Sequence, residues 1–197
     1  MQTTLWPSLD GERVLVADES GEIGYRPQAL EPQPARGIFA ALVDGIRWRA
    51  DDRRMYDRTV AVPRLVAGAR DADGRAAAIL ARLQTMVESI LGERFNSIGL
   101  NRYRNEHDSV AWHHDTVTEL VAEPTIALLS LGAVRRMQLR SKRTPRRSLE
   151  LDLEPGSLFV MRGASQRFWE HRVPKETRPI AERISIAFRQ RPQAEPR

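Results

Sequence analysis

The spacing of apolar residues divides the chain into an upstream part with helical periodicity and a downstream part with strand-like runs. After Pro34, apolar residues recur at helical spacing and predict a first helix: Ile38, Phe39, Leu42, Val43 and Ile46. A longer apolar stripe from Ile79 to Leu91 predicts a second helix over about residues 73–92, which Gly92 is suited to end.

From residue 95 onward, short strand-like runs replace the helical pattern. They are "FNSIGLNRY", "SVAWHHD", "TIALLSLG", "RRMQLRS", "LELDL", "GSLFVMRG", "FWEHRVP" and "RISIAFRQ". Turn residues or charges separate them, which is typical of a β-sandwich or jelly roll. Residues 13–17 and "RTVAVPRLV" predict two more strands, the second at a sheet edge or near a strand end because it contains Pro63. The predicted fold is mainly β with flanking α, with two helices packed on one sheet.

Length and composition fit a single domain. We expect residues 1–94 to form helical and strand support, residues 95–190 the jelly-roll core, and residues 191–197 a tail, in a chain of 197 residues. There is no cysteine for a disulfide or thiolate site. No apolar run approaches the about 20 residues that cross a bilayer, and the N-terminus lacks a signal-peptide pattern. We therefore expect a cytoplasmic monomer without a membrane partner.

The charge balance favours an anionic partner. The net charge is +5, and seven cations fall within one predicted hairpin: Arg135, Arg136, Arg140, Lys142, Arg143, Arg146 and Arg147. Such a cluster fits the phosphates of single-stranded DNA or RNA. A solvated hairpin that protects a sheet edge with charge is the alternative.

The stretch "SVAWHHDTVTEL" contains two of the four histidines. If it begins as a strand, His113 and Asp115 share one face while His114 points the other way. His171, in "FWEHRVP", is the strongest candidate for a third ligand. Two histidines and one carboxylate form the facial triad of non-haem iron oxygenases. A simple hydrogen bond between His113 and Asp115, or a hydrolytic zinc site, remains an alternative.

The run "RISIAFR" adds a second chemical feature. Arg183 and Arg189 fall on the same face of the predicted strand, and an inward arginine requires an anion. A guanidinium binds a carboxylate at two points, so one of them is suited to anchor an acidic cosubstrate. Asn101 and Tyr103 likewise share a face. The alternative is a solvated edge strand.

Together, "NRYRNEHDSVAWHHD", "LLSLGAVRRMQLR", "GSLFVMRGASQRFWEHRVPKE" and "RISIAFR" resemble the AlkB family of Fe(II)/2-oxoglutarate-dependent dioxygenases, from about residue 95 to 189. The resemblance implies a double-stranded β-helix that binds iron through His113, Asp115 and His171. It also implies contacts with 2-oxoglutarate from Asn101, Tyr103, Arg183 and Arg189, and a reduced contact from Ser185, where relatives often carry asparagine. The implied activity is oxidative demethylation of alkylated DNA or RNA bases, with release of succinate, carbon dioxide and formaldehyde.

The sequence departs from the repair pattern at three positions. After "PRL" the chain enters its second predicted helix almost at once, so the lid that covers a flipped base is short or absent. Val117 stands where repair enzymes commonly carry an acidic residue, and Met161 where some relatives carry tryptophan. Altered substrate choice is therefore our hypothesis. The rival interpretations are the same chemistry on a protein or small molecule, and a nucleic-acid-binding module with a vestigial iron site.

Overall fold

The computed structural model describes residues 11–55 and 58–192. The upstream elements are β1 (Arg13–Asp18), β2 (Gly21–Arg26), α1 (Pro32–Gly45), β3 (Arg49–Met55), β4 (Arg58–Gly68) and α2 (Gly74–Leu91). The downstream elements are β5 (Ser97–Tyr103), β6 (Val110–His113), β7 (Ile126–Gly132), β8 (Arg135–Ser141), β9 (Ser148–Leu153), β10 (Leu158–Arg162), α3 (Ser165–Phe168), β11 (Trp169–Val173) and β12 (Arg183–Arg189). Residues 193–197 of the predicted tail lie outside the described ranges.

The strands form two antiparallel sheets with the topology of a jelly roll. The larger sheet has the order β1-β2-β10-β7-β12-β5-β4-β3, and the smaller has the order β6-β11-β8-β9. The eight strands from β5 to β12 can be numbered one to eight. The large sheet then contains, side by side, strands 1, 8, 3 and 6 (β5, β12, β7 and β10). The small sheet contains strands 2, 7, 4 and 5 (β6, β11, β8 and β9). This interleaving is the jelly-roll pattern. The predicted fold class is therefore confirmed.

Alternation along β12 separates the interior into two layers. Ile184, Ile186 and Phe188 face α1 and α2 and belong to the core beneath those helices. Ala187 belongs to the second core, between the two sheets. Because side chains alternate along a strand, the odd-numbered polar residues of β12 also face the space between the sheets. The helices cover one face of the large sheet, and the small sheet covers the other.

The second helix has the ends that the sequence predicts. The Asp73 side chain accepts a hydrogen bond from the Ala76 backbone N–H at 2.7 Å, and thus caps the helix. Gly92 closes α2 in the left-handed conformation with φ 69°, which glycine adopts without strain. The apolar stripe of α2 packs onto the large sheet, so both predicted helices are confirmed.

Two strands escaped prediction, and one was misplaced within its sheet. β2 contains two glycines in six residues, and β3 ("RADDRRM") is almost entirely polar, so neither shows an apolar alternation. β4 lies between β3 and β5, and Pro63 lies at the midpoint of β4, so both predicted positions of this proline, at a sheet edge or near a strand end, are wrong. The register of β3 and β4 shifts opposite this proline, between Ala50 and Asp52. The irregularity accommodates a residue that has no N–H to donate.

No helix within the described ranges has both the length and the apolarity needed to cross a bilayer.

Candidate metal centre and cosubstrate pocket

Two strands of the small sheet place a pair of histidines directly opposite each other, with their rings tilted by 52°. His113 ends β6 and lies directly opposite His171 on β11, with ring centroids 4.3 Å apart. β6 ends at His113, so the prediction that Asp115 belongs to the same strand is wrong. The irregular segment that follows the strand still brings Asp115 next to the pair. Nitrogen or oxygen atoms of His113, Asp115 and His171 all lie within 4.8 Å of one another.

Burial keeps both imidazoles neutral. It lowers the pKa of His171 to about 3 and also lowers the pKa of His113, where the charge of Arg64 adds to the effect. His113 Nδ1 lies 2.9 Å from the Ala111 carbonyl, so donation there leaves Nε2 with a free lone pair. His171 Nδ1 is buried without a hydrogen-bond partner among the described residues. Each ring thus has a nitrogen available to a metal.

The Asp115 carboxylate is held ionised and oriented. Burial alone would raise its pKa, but the charge and hydrogen bond of Arg189, together with smaller effects of His171 and His113, lower it overall. Arg189 Nε donates to Asp115 Oδ2. The Asp115 backbone N–H donates to Gln166 Oε1 at 2.9 Å, and Gln166 Nε2 in turn donates to Met161 Sδ at 3.2 Å. Two neutral imidazoles and one fixed carboxylate fit a facial divalent metal such as Fe(II).

A cavity of about 470 Å³ lies between the sheets and includes this triad. Another of its lining residues, Arg183, is completely buried. Arg183 Nη2 donates to Ser130 Oγ at 2.8 Å, whereas Nε and Nη1 are buried without a partner among the described residues. Burial lowers the pKa of Arg183 to about 10, so it stays charged at neutral pH. A buried cation with two unpaired N–H groups fits the carboxylate of a small acid.

The other predicted cosubstrate residues also line this cavity. Register pairs Arg183 with Tyr103 and Ser185 with Asn101 on the neighbouring strand β5, and all four line the cavity, as does Arg189. Asn101 Oδ1 accepts a hydrogen bond from Arg64 Nε at 2.7 Å. The structure therefore brings the eight predicted residues together: Asn101, Tyr103, His113, Asp115, His171, Arg183, Ser185 and Arg189.

Three residues of this site escaped the sequence analysis: Arg64, Ser130 and Gln166. Ser130 carried a usable signal, because it is a polar residue on the inward face of β7, in line with Ile126 and Leu128. Gln166 carried none, since its place depends on the one-turn helix α3. Arg64 lies next to the irregularity of β4, where alternation does not predict which way a side chain points.

The segment after Asp115 forms part of the cavity mouth. Val117 begins a short 3-10 turn (Val117–Glu119) and is 40% exposed. Glu119, two residues later, lines the cavity and forms an ion pair with Arg191 at 3.1 Å. His114 is exposed at the same rim. An acidic group is therefore present at the mouth, two positions later than the repair pattern has it.

The basic hairpin differs from the prediction in one residue and in its charge balance. Arg135 is completely buried, so a phosphate contact from it is wrong. Four other cations form ion pairs: Arg136 with Glu150 and Asp152, Arg140 with Glu170, Arg143 with Glu19, and Arg147 with Asp18. Lys142 and Arg146 are exposed. Much of the positive charge on the hairpin is thus balanced within the chain.

Comparisons of sequence identify relatives. The sequence model of the 2OG-Fe(II) oxygenase superfamily matches residues 22–189. "Alpha-ketoglutarate-dependent dioxygenase alkB homolog 3" of Bos taurus is 32% identical over 182 residues, which cover 83% of this chain and 64% of the relative. Its Homo sapiens counterpart is 40% identical over 119 residues, which cover 56% of this chain and 42% of the relative. "DNA oxidative demethylase ALKBH2" of Arabidopsis thaliana is 37% identical over 129 residues, with 54% and 41% covered. The chain spans less than two thirds of these relatives.

Comparisons of structure support the fold. An oxidoreductase of the 2OG-Fe(II) oxygenase family from Burkholderia pseudomallei has a TM-score of 0.60 at 16% identity, with 89% of this chain and 87% of that chain covered. The non-heme alpha ketoglutarate dependent epimerase SnoN from nogalamycin biosynthesis has a TM-score of 0.59 at 13% identity, with 86% and 79% covered. At such identities the likeness concerns the fold alone.

Proposed function

The chain belongs to the AlkB family of the 2OG-Fe(II) oxygenase superfamily, and we propose that it oxidatively demethylates alkylated bases in DNA or RNA. The observation that carries this proposal is the pairing of two features in one cavity. A metal-ligating triad lines it, and so does a buried arginine with two unpaired N–H groups. A cosubstrate with a distal carboxylate is what this combination fits.

His113, Asp115 and His171 are the proposed ligands of Fe(II). Iron held there would supply the oxidation of a substrate C–H bond to C–OH by dioxygen, with conversion of 2-oxoglutarate to succinate and carbon dioxide. On a methylated base nitrogen, the resulting hydroxymethyl group would leave as formaldehyde. The chain's own contribution is to keep both imidazoles neutral by burial and to fix the carboxylate through Arg189 and Gln166.

We assign the distal carboxylate of 2-oxoglutarate to Arg183. Its two unpaired N–H groups would receive the two carboxylate oxygens, while Ser130 holds the remaining nitrogen in place. Tyr103 and Asn101 line the same cavity on the neighbouring strand and are proposed to hydrogen-bond the cosubstrate. Ser185 supplies a smaller hydroxyl contact. Arg189 lies near the cosubstrate, although its main contact is Asp115.

Nucleic acid is the proposed substrate class because one group of relatives is named as DNA oxidative demethylases. The exposed cations Lys142, Arg143 and Arg146 are the part of the hairpin that we retain for phosphate contact. We infer an altered preference among bases, since the acidic residue at the mouth is Glu119 rather than residue 117. A monomeric state, a cytoplasmic location and a single catalytic domain are further parts of the proposal.

A second candidate is the same chemistry on a protein side chain or small molecule. The observation that favours it is that Tyr103, which we assign to the cosubstrate, is the only phenylalanine, tyrosine or tryptophan among the described residues that line the cavity. No other ring of these types is therefore available there to stack on a flipped base. A nucleic-acid-binding module with a vestigial iron site is less well supported, because the triad and Arg183 are intact.

The proposal is tested by incubating Fe(II)-loaded protein with 2-oxoglutarate, dioxygen and a single-stranded oligonucleotide that carries 1-methyladenine or 3-methylcytosine. We expect succinate and formaldehyde in equal amounts, and neither from Asp115→Ala. If the protein forms succinate but releases formaldehyde from none of the methylated oligonucleotides, the second candidate is favoured. Absence of succinate under all conditions would refute the oxygenase itself. Formaldehyde release at the rate of an ordinary repair enzyme would contradict the altered preference alone.

A further inference from the structure

The first residue of β8, Arg135, is a completely buried arginine outside the cavity lining. Its Nη1 donates to the Asn105 carbonyl at 3.1 Å, and its Nη2 donates to the carbonyls of Asp108 at 2.7 Å and Pro174 at 2.9 Å. Its Nε lies 3.6 Å from Glu176 Oε1. One guanidinium thus binds three backbone carbonyls from two separate segments.

Those two segments flank the strands that hold the metal-binding histidines. Asn105 and Asp108 lie between β5 and β6, just ahead of the strand that ends at His113. Pro174 directly follows β11, the strand of His171. β6 and β11 pair at Val110 and Val173, next to the guanidinium's acceptors. Arg135 therefore joins the start of one ligand strand to the end of the other.

The same guanidinium also contacts the cosubstrate side of the cavity. Arg135 Cζ lies 5.3 Å from the centroid of the Tyr103 ring, and Arg183 Cζ lies 5.2 Å from the same centroid. Tyr103 is only 3% exposed and ends β5, where the segment bound by Arg135 begins. Cation–π contact with two buried arginines restricts the tyrosine ring.

We propose that Arg135 is a positioning residue that couples the metal-binding strand pair to the 2-oxoglutarate pocket. This inference rests on the proposed function of the cavity. Without Arg135, the carbonyls of buried Asp108 and half-buried Pro174 lose the donor that binds them, while the Asn105 carbonyl keeps only the Asp108 backbone N–H. Buried backbone carbonyls seldom go without a donor. The segments that carry Tyr103, His113 and His171 then lose their common anchor. Lysine is a poor replacement, because an ammonium group cannot present a planar fork of donors to three acceptors.

Binding of each component, measured separately, tests the coupling. Mn(II) affinity is followed from the electron paramagnetic resonance signal of the free ion, and 2-oxoglutarate affinity by calorimetry on Mn(II)-loaded protein. Arg135→Lys should weaken both affinities by about tenfold, the lower end of what changes around a metal site cause. Arg183→Lys, by contrast, should weaken 2-oxoglutarate binding alone. The matched control is Arg136→Lys, at the next position, where the side chain is 52% exposed, and it should change neither affinity.

Each outcome decides between coupling and a purely structural role. If Arg135→Lys lowers the melting temperature but binds both components like the wild type, the residue only stabilises the fold and the inference is wrong. If it weakens one affinity alone, coupling is also refuted. A wild type that binds neither Mn(II) nor 2-oxoglutarate would overturn both this inference and the proposed function. If the wild type binds both components and only the Arg135→Lys result fails, the proposed function stands.

A measurement on the wild type covers the case in which Arg135→Lys does not fold. Hydrogen exchange of the backbone amides of Asp108 and Glu176 is recorded with Mn(II), before and after 2-oxoglutarate is added. The Asp108 amide donates to the Asn105 carbonyl and the Glu176 amide donates to the Glu106 carbonyl, so both hydrogen bonds lie in the segments that Arg135 joins. Coupling predicts slower exchange at both positions when the cosubstrate binds. Unchanged exchange at both would contradict it.

Discussion

The guanidinium of Arg189 binds the carboxylate of Asp115 directly, although 74 positions separate them in the chain. This contact distinguishes the two arginines of β12 that line the cavity. Arg189 is already paired with a candidate metal ligand, whereas Arg183 keeps two buried N–H groups without a partner among the described residues. The two side chains therefore serve different groups within one cavity, and they need not converge on the same carboxylate.

Removing the Arg183 guanidinium should impair 2-oxoglutarate binding selectively. Loss of one partner from a buried charge pair costs at least about 2 kcal/mol, so Arg183→Met should weaken 2-oxoglutarate binding about 30-fold or more. Calorimetry on Mn(II)-loaded protein gives this value. Arg102→Met is the matched control, since Arg102 pairs with Glu182 and does not line the cavity. Unchanged affinity in Arg183→Met would refute the assignment.

Each proposed metal ligand should be indispensable for turnover. Asp115→Ala and His171→Ala should form no succinate above background, because each removes one of three ligands and leaves the rest of the fold in place. The measurement is succinate formation at saturating 2-oxoglutarate, with circular dichroism to check folding. His107→Ala, whose side chain is 76% exposed, should retain wild-type turnover. Substantial iron-dependent turnover in either ligand variant would be incompatible with the proposed triad.

Asp18 should stabilise the fold in a pH-dependent way. Burial acts to raise the pKa of Asp18, but hydrogen bonds from Arg147 and Ser20 prevail and lower it from 3.8 to about 2. Because the pKa is lower in the folded state, the ionised carboxylate stabilises the folded protein at pH values above 3.8. This stabilisation is lost as the pH falls toward about 2. Asp18→Asn should therefore lower the free energy of unfolding by about 1 kcal/mol at pH 6.

Urea denaturation at pH 6 and at pH 2 measures this difference. At the lower pH, the gap between wild type and Asp18→Asn should shrink markedly, since the carboxyl group is then protonated in the unfolded chain and about half protonated in the folded one. Asp152→Asn provides the comparison, because that side chain is 56% exposed and exposed ion pairs contribute little. A gap that is equally large at both pH values would show that the Asp18 charge is not its source.

Charge reversal on the hairpin should reduce the salt dependence of single-stranded DNA binding. Each phosphate contact on a single strand contributes about 0.7 to the slope of log affinity against log salt, so Arg143→Glu plus Arg146→Glu should lower the magnitude of the slope by about 1.4. Arg82→Glu plus Arg94→Glu changes the net charge equally at exposed positions in and just after α2. If both double variants have the same slope, the hairpin makes no specific phosphate contact.

Periodicity and local caps were enough to predict much of the fold. The helix bounded by Asp73 and Gly92 and the facing of Arg183 and Arg189 follow from repeats of 3.6 and 2 residues. Burial of Arg135 could not be foreseen, because its acceptors are backbone carbonyls of distant segments, which leave no pattern in the residues.

The residues of the candidate metal site could be predicted from the sequence, but the way in which the fold brings them together could not. The prediction grouped His113 with Asp115 through strand alternation, whereas β6 ends at His113. Asp115 reaches the site because Arg189 and Gln166 hold it there. Neither contact could be predicted from the residues next to Asp115, because both partners lie far along the chain.

A crystal structure determined with Mn(II) and 2-oxoglutarate tests the central claim most directly. We predict one Mn(II) coordinated by His113, Asp115 and His171, with the distal carboxylate of 2-oxoglutarate on Nε and Nη1 of Arg183. A metal bound elsewhere, or a cavity that holds neither component at saturating concentrations, would contradict the account.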